Sequence, residues 1–251
     1  MDRQRNVKKL RQLLIILLWL LIWELAARAA DNSIILVGPT ESLGRLVSML
    51  PDPQFWSSVG STLLRIMAGF LMSVILTSLL GALAHFHPWL RELLSPVIAL
   101  MKAIPVASFV ILVLIWLRGS RDLSIVVTFI VVTPMIWDAV LGGLSAADTQ
   151  LLELAEVYRL SLGRRLRYIY LPALLPYILS SISSVIGMSW KSGVAAELIG
   201  QPTDSIGFYL YQSKVFLDTS GLFAWTFMII LLSWISERLI KALIGFAERR
   251  L

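Results

Sequence analysis

The chain has no cysteine, only two histidines and few charges. Of its 251 residues, 15% are Asp, Glu, Lys or Arg, against about 25% in a typical soluble domain. Without cysteine there are no disulfides, no thiolate metal sites and no thiol nucleophile. His85 and His87 form a His-x-His pair beside Trp89 and Arg91, short of the three or four ligands that zinc takes, and read as a short turn. No Gly-x-x-x-x-Gly-Lys-Ser/Thr phosphate loop is present, so the chain does not cradle ATP in the usual way. No His-Glu-x-x-His, nucleophile elbow or polar pair of catalytic carboxylates is present either. The expectation is therefore no catalytic residue, no metal ligand set and no cofactor bound by this chain.

What is abundant is apolar sequence: 57% of residues are of the AVILMFWYC class and the mean hydropathy is +0.80. That excludes a disordered chain and a small water-exposed enzyme. Six apolar segments stand out, at residues 13–30, 63–84, 93–117, 123–144, 173–199 and 222–244. Each is long enough to cross a hydrocarbon core of about 30 Å at about 1.5 Å per residue. Every backbone polar group must be satisfied inside lipid, so the spans are expected to be helices and the fold all-α, a polytopic membrane protein. The third segment carries Pro96 and Pro105. The basic N-terminus leading into the first segment could pass for a signal peptide. Its apolar run continues to Ala30, so a retained helix is expected.

Orientation follows from the basic residues, 22 against 16 acidic for a net +6. With the N-terminus inside, the inner segments hold Arg3, Arg5, Lys8, Lys9, Arg11, Arg91, Arg159, Arg164, Arg165, Arg167, Arg238, Lys241, Arg249 and Arg250. The outer ones hold only Arg28, Arg45, Arg118, Arg121 and Lys214. That asymmetry places both termini in the cytoplasm. The positive balance is thus a topology signal and does not point to nucleic acid.

Two connections are long. Residues 31–62 form an outer segment with Pro39, Pro51 and Pro53 that is expected to hold a short surface helix. The inner segment, residues 145–172, looks structured. Asp148 and Thr149 can cap a helix. Leu151, Leu152, Ala155, Leu160 and Leu162 alternate with Glu153, Glu156, Arg159, Arg164, Arg165 and Arg167. This pattern suggests two short amphipathic helices around a turn near residues 161–163, either a docking surface or a loop lying on the headgroups.

Charges inside spans are functional candidates by default. Lys191 and its neighbour Trp190 fall in the outer half of the fifth segment, with Glu197 near its outer end and Asp138 in the inner half of the fourth. These four are candidate pathway or gate residues. The plainer alternative is a snorkelling Lys191, an interfacial Glu197, and an Asp138 paired with Arg65 or another helix. Glu24 in the first segment reads as an interhelical hydrogen bond. Ser180, Ser183, Ser184 and Gly187 form a small-residue face suited to close helix packing.

The spacing in the inner segment carries a resemblance. Glu153-Leu154-Ala155 followed by Ile169-Tyr170-Leu171-Pro172 resembles the signature loop of ABC importer permeases: Glu-Ala-Ala, three residues, Gly, nine residues, Ile-x-Leu-Pro. Leu154 departs from the first Ala, and Arg159 stands at the usual Gly, with Gly163 four residues later as the expected turn residue. The stretch from Trp23 to Arg28, Pro39-Thr40-Glu41, Thr62-Leu63-Leu64-Arg65 with Gly69-Phe70, Ile104-Pro105, Ala196-Glu197 and Ile206 to Leu210 look like the sulfonate/nitrate/taurine branch of that family. The resemblance implies a type I ABC importer permease-like fold in the bacterial plasma (inner) membrane. Residues 1–58 would be a first helix and outer loop, and residues 59–251 the permease core.

It also implies that Glu153, Ala155, Arg159, Gly163, Arg164, Ile169, Leu171 and Pro172 belong to an ATPase-coupling loop. The implied partners are two ABC ATPase subunits carrying ATP and Mg, a second permease copy, an extracytoplasmic substrate-binding protein and membrane lipid. The implied cargo is a small anionic solute of the sulfonate, nitrate, taurine or vitamin-precursor class. A secondary transporter or channel is the alternative; it would show internal repeats and ionisable groups at the bilayer centre.

Overall fold

The computed structural model describes residues 2–117 and 119–248. Arg118, Arg249 and Arg250 of the charge pattern lie outside the described residues, as do the side chains of Arg3, Arg5, Lys8 and Lys9. The described residues form helices joined by short links, without a strand: α1 (Asp2–Ala30), α2 (Pro39–Met49), α3 (Pro53–Phe86), α4 (Pro88–Ala103), α5 (Val106–Leu117), α6 (Leu123–Ser145), α7 (Thr149–Val157), α8 (Leu162–Arg165), α9 (Leu171–Gly200), α10 (Ile206–Val215) and α11 (Thr219–Glu248). The helix expected in the outer connection is α2. Asp52 starts α3 by accepting from the Gln54 N–H at 2.9 Å, with Pro53 at the first helical position.

Among the described residues, four stretches are long and apolar enough to cross a membrane: Leu10–Ala30, Pro53–Phe86, Leu123–Ser145 and Leu162–Gly200. Helix α11, thirty residues long, is also of spanning length. The third apolar segment is not a straight span. Helices α4 and α5 meet at 109°. Pro105 has no N–H to continue the ladder and forces Ile104 into extended backbone (φ −69°, ψ 124°). Pro96, by contrast, sits inside α4 without ending it.

Helix α6 is the centre of the bundle and packs between α3 and α9. Ile66 and Phe70 of α3, Val132, Ile136 and Val140 of α6, and Val185, Ile186 and Trp190 of α9 make one core, closed by Trp225 of α11. Gly69 lets α3 approach α6 closely, for a Cβ there would stand 2.5 Å from the Ile125 carbonyl oxygen. Helix α1 is peripheral, with none of its apolar window buried. It is pinned at one end, where the Trp23 indole donates to the Val37 carbonyl at 3.0 Å and packs tilted against Phe223 and Phe227. Glu24 accepts there from the Thr40 hydroxyl at 2.8 Å and pairs with Arg28 at 3.0 Å, the interhelical bond expected of it.

Candidate functional site

The end of the bundle that the charge pattern assigns to the outside is tied together by Glu197. Sequence position suggested an interfacial carboxylate; its side chain is instead 0% exposed. One carboxylate oxygen accepts from the Thr62 hydroxyl at 2.8 Å and the Gly207 N–H at 3.3 Å. The other receives Arg65 and the Ser124 hydroxyl, each at 3.5 Å. Thr62 in turn accepts from the Ile206 N–H at 2.9 Å, and Ser205 caps Phe208 at 3.0 Å. The first N–H groups of α10, which no intrahelical carbonyl can satisfy, are thus served by α3, α9 and Ser205. A carboxylate at this helix start also opposes the macrodipole's positive end. Gly207 is required here, since a Cβ would collide with the Glu197 Cβ. Thr62 was flagged in the sequence only within a family-like stretch, and Arg65 there and as an alternative partner for Asp138. Their role rests on contacts across 135 and 132 residues.

Trp190 and Lys191, neighbours in sequence, do not face the same way. Trp190 is 1% exposed within the central core, and its indole N–H has no hydrogen-bond partner among the described residues. Lys191 is exposed and makes no hydrogen bond or ion pair with another described residue. The small-residue face lies largely on the same open side of α9: Ser180 and Ser184 are exposed, and a Cβ on Gly187 would meet nothing within 4 Å. Ser183 turns instead to Glu237 of α11, at 2.8 Å.

Toward the inner end, Asp138 pairs with Lys102 of α4 at 2.7 Å, and not with Arg65. Both side chains stay about half exposed, 59% and 48%. They line a cavity of about 400 Å³ with Arg91, Ser95, Trp137, Gly142 and Ser145. Lys102 sits two residues before the α4–α5 bend, where irregular backbone at membrane depth is tolerated only against protein or a water-lined space.

The inner loop is built as a small folded unit. Asp148 caps α7 by accepting from the Gln150 N–H at 2.8 Å. Ala155 and Ile169 are buried against Ala147, with Leu152 and Leu160 packed around them. The bend is not at residues 161–163. It falls at Arg159, which adopts left-handed φ 49°. The Leu160 N–H closes back on the Ala155 carbonyl at 2.8 Å, the helix-ending motif in which glycine is usual at the left-handed residue. Gly163 lies inside α8 instead. Arg165 donates to the Leu160 carbonyl at 3.1 Å and to the Ala155 carbonyl at 3.4 Å, bracing the turn.

The loop also ends earlier than Pro172. From Leu162 the chain is continuously helical to Gly200. Pro172 lacks an N–H and its ring crowds the preceding turn. A π-helical turn at Leu166–Tyr170, closed by the Leu171 N–H on the Leu166 carbonyl, widens the helix just before it. Glu153 and Arg164 are exposed on the loop surface. So is an apolar tip: Leu154 (51%), Val157, Tyr158 and Leu162 (74%).

The sequence profile of the family described as "Binding-protein-dependent transport system inner membrane component" matches residues 73–248. The chain belongs to that family. It is an ABC importer permease, a multi-pass subunit of the bacterial plasma membrane whose ATPase is a separate chain. Its relatives include a probable ABC transporter permease protein of Brucella melitensis, 27% identical over 222 residues and 88% of each chain. The taurine transport system permease protein of Escherichia coli is 25% identical, over 91% of this chain and 83% of that one. The nitrate import permease protein of Leptolyngbya laminosa is 28% identical over 78% and 68%. In fold the permease is similar to the inward-facing MetNI methionine ABC transporter: TM-score 0.60 and 17% identity over 76% of this chain and 98% of that one. It is equally similar to an amino acid ABC transporter crystallised with histidines: TM-score 0.60 and 18% identity over 82% and 98%.

Proposed function

We propose that the permease works as a pair of identical copies over two ATPase subunits that carry ATP and Mg. It receives a small anion from an extracytoplasmic binding protein and passes it along the open side of α6 and α9. Both termini are cytoplasmic and the bent α4–α5 pair counts as one of six spans. The observation that carries the coupling half of this reading is the exposed apolar tip on the buttressed inner loop. Exposed Leu154, Val157, Tyr158 and Leu162, flanked by Glu153 and Arg164, suit a groove on a partner protein, where an amphipathic helix lays its apolar face. Ala155 and Ile169 support that tip from behind, Arg159 shapes its turn, and Leu171 and Pro172 carry the chain on into α9.

The anion is supported by the unpaired Lys191 and by relatives named for taurine, nitrate, bicarbonate and aliphatic sulfonates. Lys191 and Asp138 are the wall positions. Trp190 and Glu197 shape that wall from within the subunit.

The test is a set of loop variants coexpressed with the ATPase. Glu153→Arg, or deletion of residues 160–164, is expected to abolish uptake in membrane vesicles while the permease remains inserted. Copurification of the ATPase together with undiminished uptake in the deletion would overturn the assignment of the loop.

A further inference from the structure

A second polar cavity opens beside the Glu197 cluster. It measures about 340 Å³ and is lined by Ser61 and Arg65 of α3, Ser120 and Arg121 of the α5–α6 link, and Pro202, Thr203 and Asp204 of the α9–α10 link. Its chemistry differs from that of its surroundings. The groups around Glu197 are committed to one another. Those lining the cavity are not: the hydroxyls of Ser61, Ser120 and Thr203, the Arg121 guanidinium and the Asp204 carboxylate bond to no other described residue.

Arg65 bridges the two regions. Its side chain is only 13% exposed, yet its one partner among the described residues is Glu197 at 3.5 Å. A guanidinium has five N–H donors in a rigid fork, so most of this nearly buried cation's donor capacity remains unused. Two forks and three hydroxyls converging from three separate segments match a planar or tetrahedral oxyanion, which guanidinium groups recognise bidentately. Asp204 is the single carboxylate in the lining and stands in left-handed backbone at φ 63°. It opposes a bare dianion and tolerates a monoanion or a zwitterion with an amino group.

We infer that this cavity is an oxyanion-binding subsite at the outer mouth of the permease, held by Arg65 and Arg121. It takes a sulfonate, carboxylate or similar group. The assignment rests on the anion reading of the cargo, and on the charge pattern that makes this end the outer one. A phospholipid phosphate offers the same chemistry as a free solute, so the two sources must be separated. Glu197, itself held by Thr62 and Gly207, anchors Arg65 behind the cavity.

The experiment needs neither the native cargo nor transport. The permease–ATPase complex is held in dodecyl maltoside micelles, which carry no phosphate, and treated with phenylglyoxal. Modification of each arginine is followed by peptide mass spectrometry in methanesulfonate and in chloride of equal ionic strength. Arg121 is expected to react several-fold more slowly in methanesulfonate, while Arg28 and Arg45, elsewhere on the outer face, are unchanged. Arg65→Lys, which keeps the charge but removes the fork, is expected to weaken that protection.

Protection that appears without added anion only in phosphatidylglycerol discs supports the oxyanion subsite with a lipid phosphate as its occupant. Equal reactivity of Arg121 in all media, or protection shared with Arg28 and Arg45, overturns the subsite. Because no uptake is measured, such a failure is distinct from failure of the loop variants to uncouple transport.

Discussion

The two ends of the α6–α9 pair hold charge in opposite ways. At the end that the charge pattern assigns to the outside, Glu197 is sealed from solvent and receives Thr62, Gly207, Arg65 and Ser124 from three other segments. Toward the opposite end, Asp138 meets one partner among the described residues, Lys102, and both remain about half open. A buried carboxylate is stable only while its donors surround it, so the outer cluster fixes where α3, α6, α9 and α10 meet. A half-exposed pair contributes little to folding and stays open to solvent. One end of the bundle is thus fastened by its charges and the other is left adjustable by them.

The largest test of that contrast is Glu197→Leu. It strands Arg65 and the Gly207 N–H in a buried site, and a loss of about 3–5 kcal/mol is expected. Thermal unfolding of the detergent-solubilised protein would register it. A melting temperature equal to wild type would mean that the outer cluster does not fasten the helices. Glu197→Gln, which keeps one acceptor oxygen, is expected to fall between the two. Arg159→Gly acts on the inner loop in the other direction. Relief of left-handed backbone at a non-glycine residue is expected to raise stability by about 1 kcal/mol or less, read from the same melts; a clear destabilisation would mean the Arg159 side chain matters more than its backbone.

Asp138→Asn is expected to cost under about 1 kcal/mol while changing the concentration dependence of uptake. A large drop in melting temperature with normal uptake would erase the distinction between the two ends. The smallest effect expected is at the clasp between α2 and α11, where Arg45 meets Asp218 at 3.1 Å. Burial pushes the Asp218 carboxyl up. Hydrogen bonds from the Gly221 N–H and the Ser220 hydroxyl, with Arg45, outweigh it and hold the group below the usual aspartate range. Its folded value is therefore depressed, so its contribution is complete above the ordinary value of about 3.9 and fades as pH falls through the lowered one. Spin labels on α2 and α11 should keep their separation until that acidic range is reached, and Asp218→Asn should remove the transition.

Much of this was legible from composition and spacing. Apolar length gave the all-α membrane fold, Asp148 marked the start of α7, and the inner loop signature led to the family. Local rules failed where a distant partner or a local compensation decided the outcome. Glu197 read as interfacial because its donors are far away in sequence. Pro172 read as the start of a span because a π-helical turn that absorbs a proline leaves no mark in composition. Gly163 drew the turn assignment because glycine is the usual left-handed residue, whereas the closing bond at Leu160 holds Arg159 there instead. Pro105 did announce an interruption, but not the angle, which depends on how α4 and α5 each settle against α6.

The uninterrupted helix from Leu162 to Gly200 has a mechanical consequence. Thirty-nine residues make a rod of about 58 Å, reaching from the turn at Arg159 to the cluster at Glu197. Pivoted near its middle, such a rocker arm swings each tip by about 5 Å for a tilt of ten degrees. A tilt imposed at the loop end of such an arm would reach its other end with the sense of motion reversed. The widened turn before Pro172 is where the arm can flex, and its stiffness sets how much of the stroke arrives.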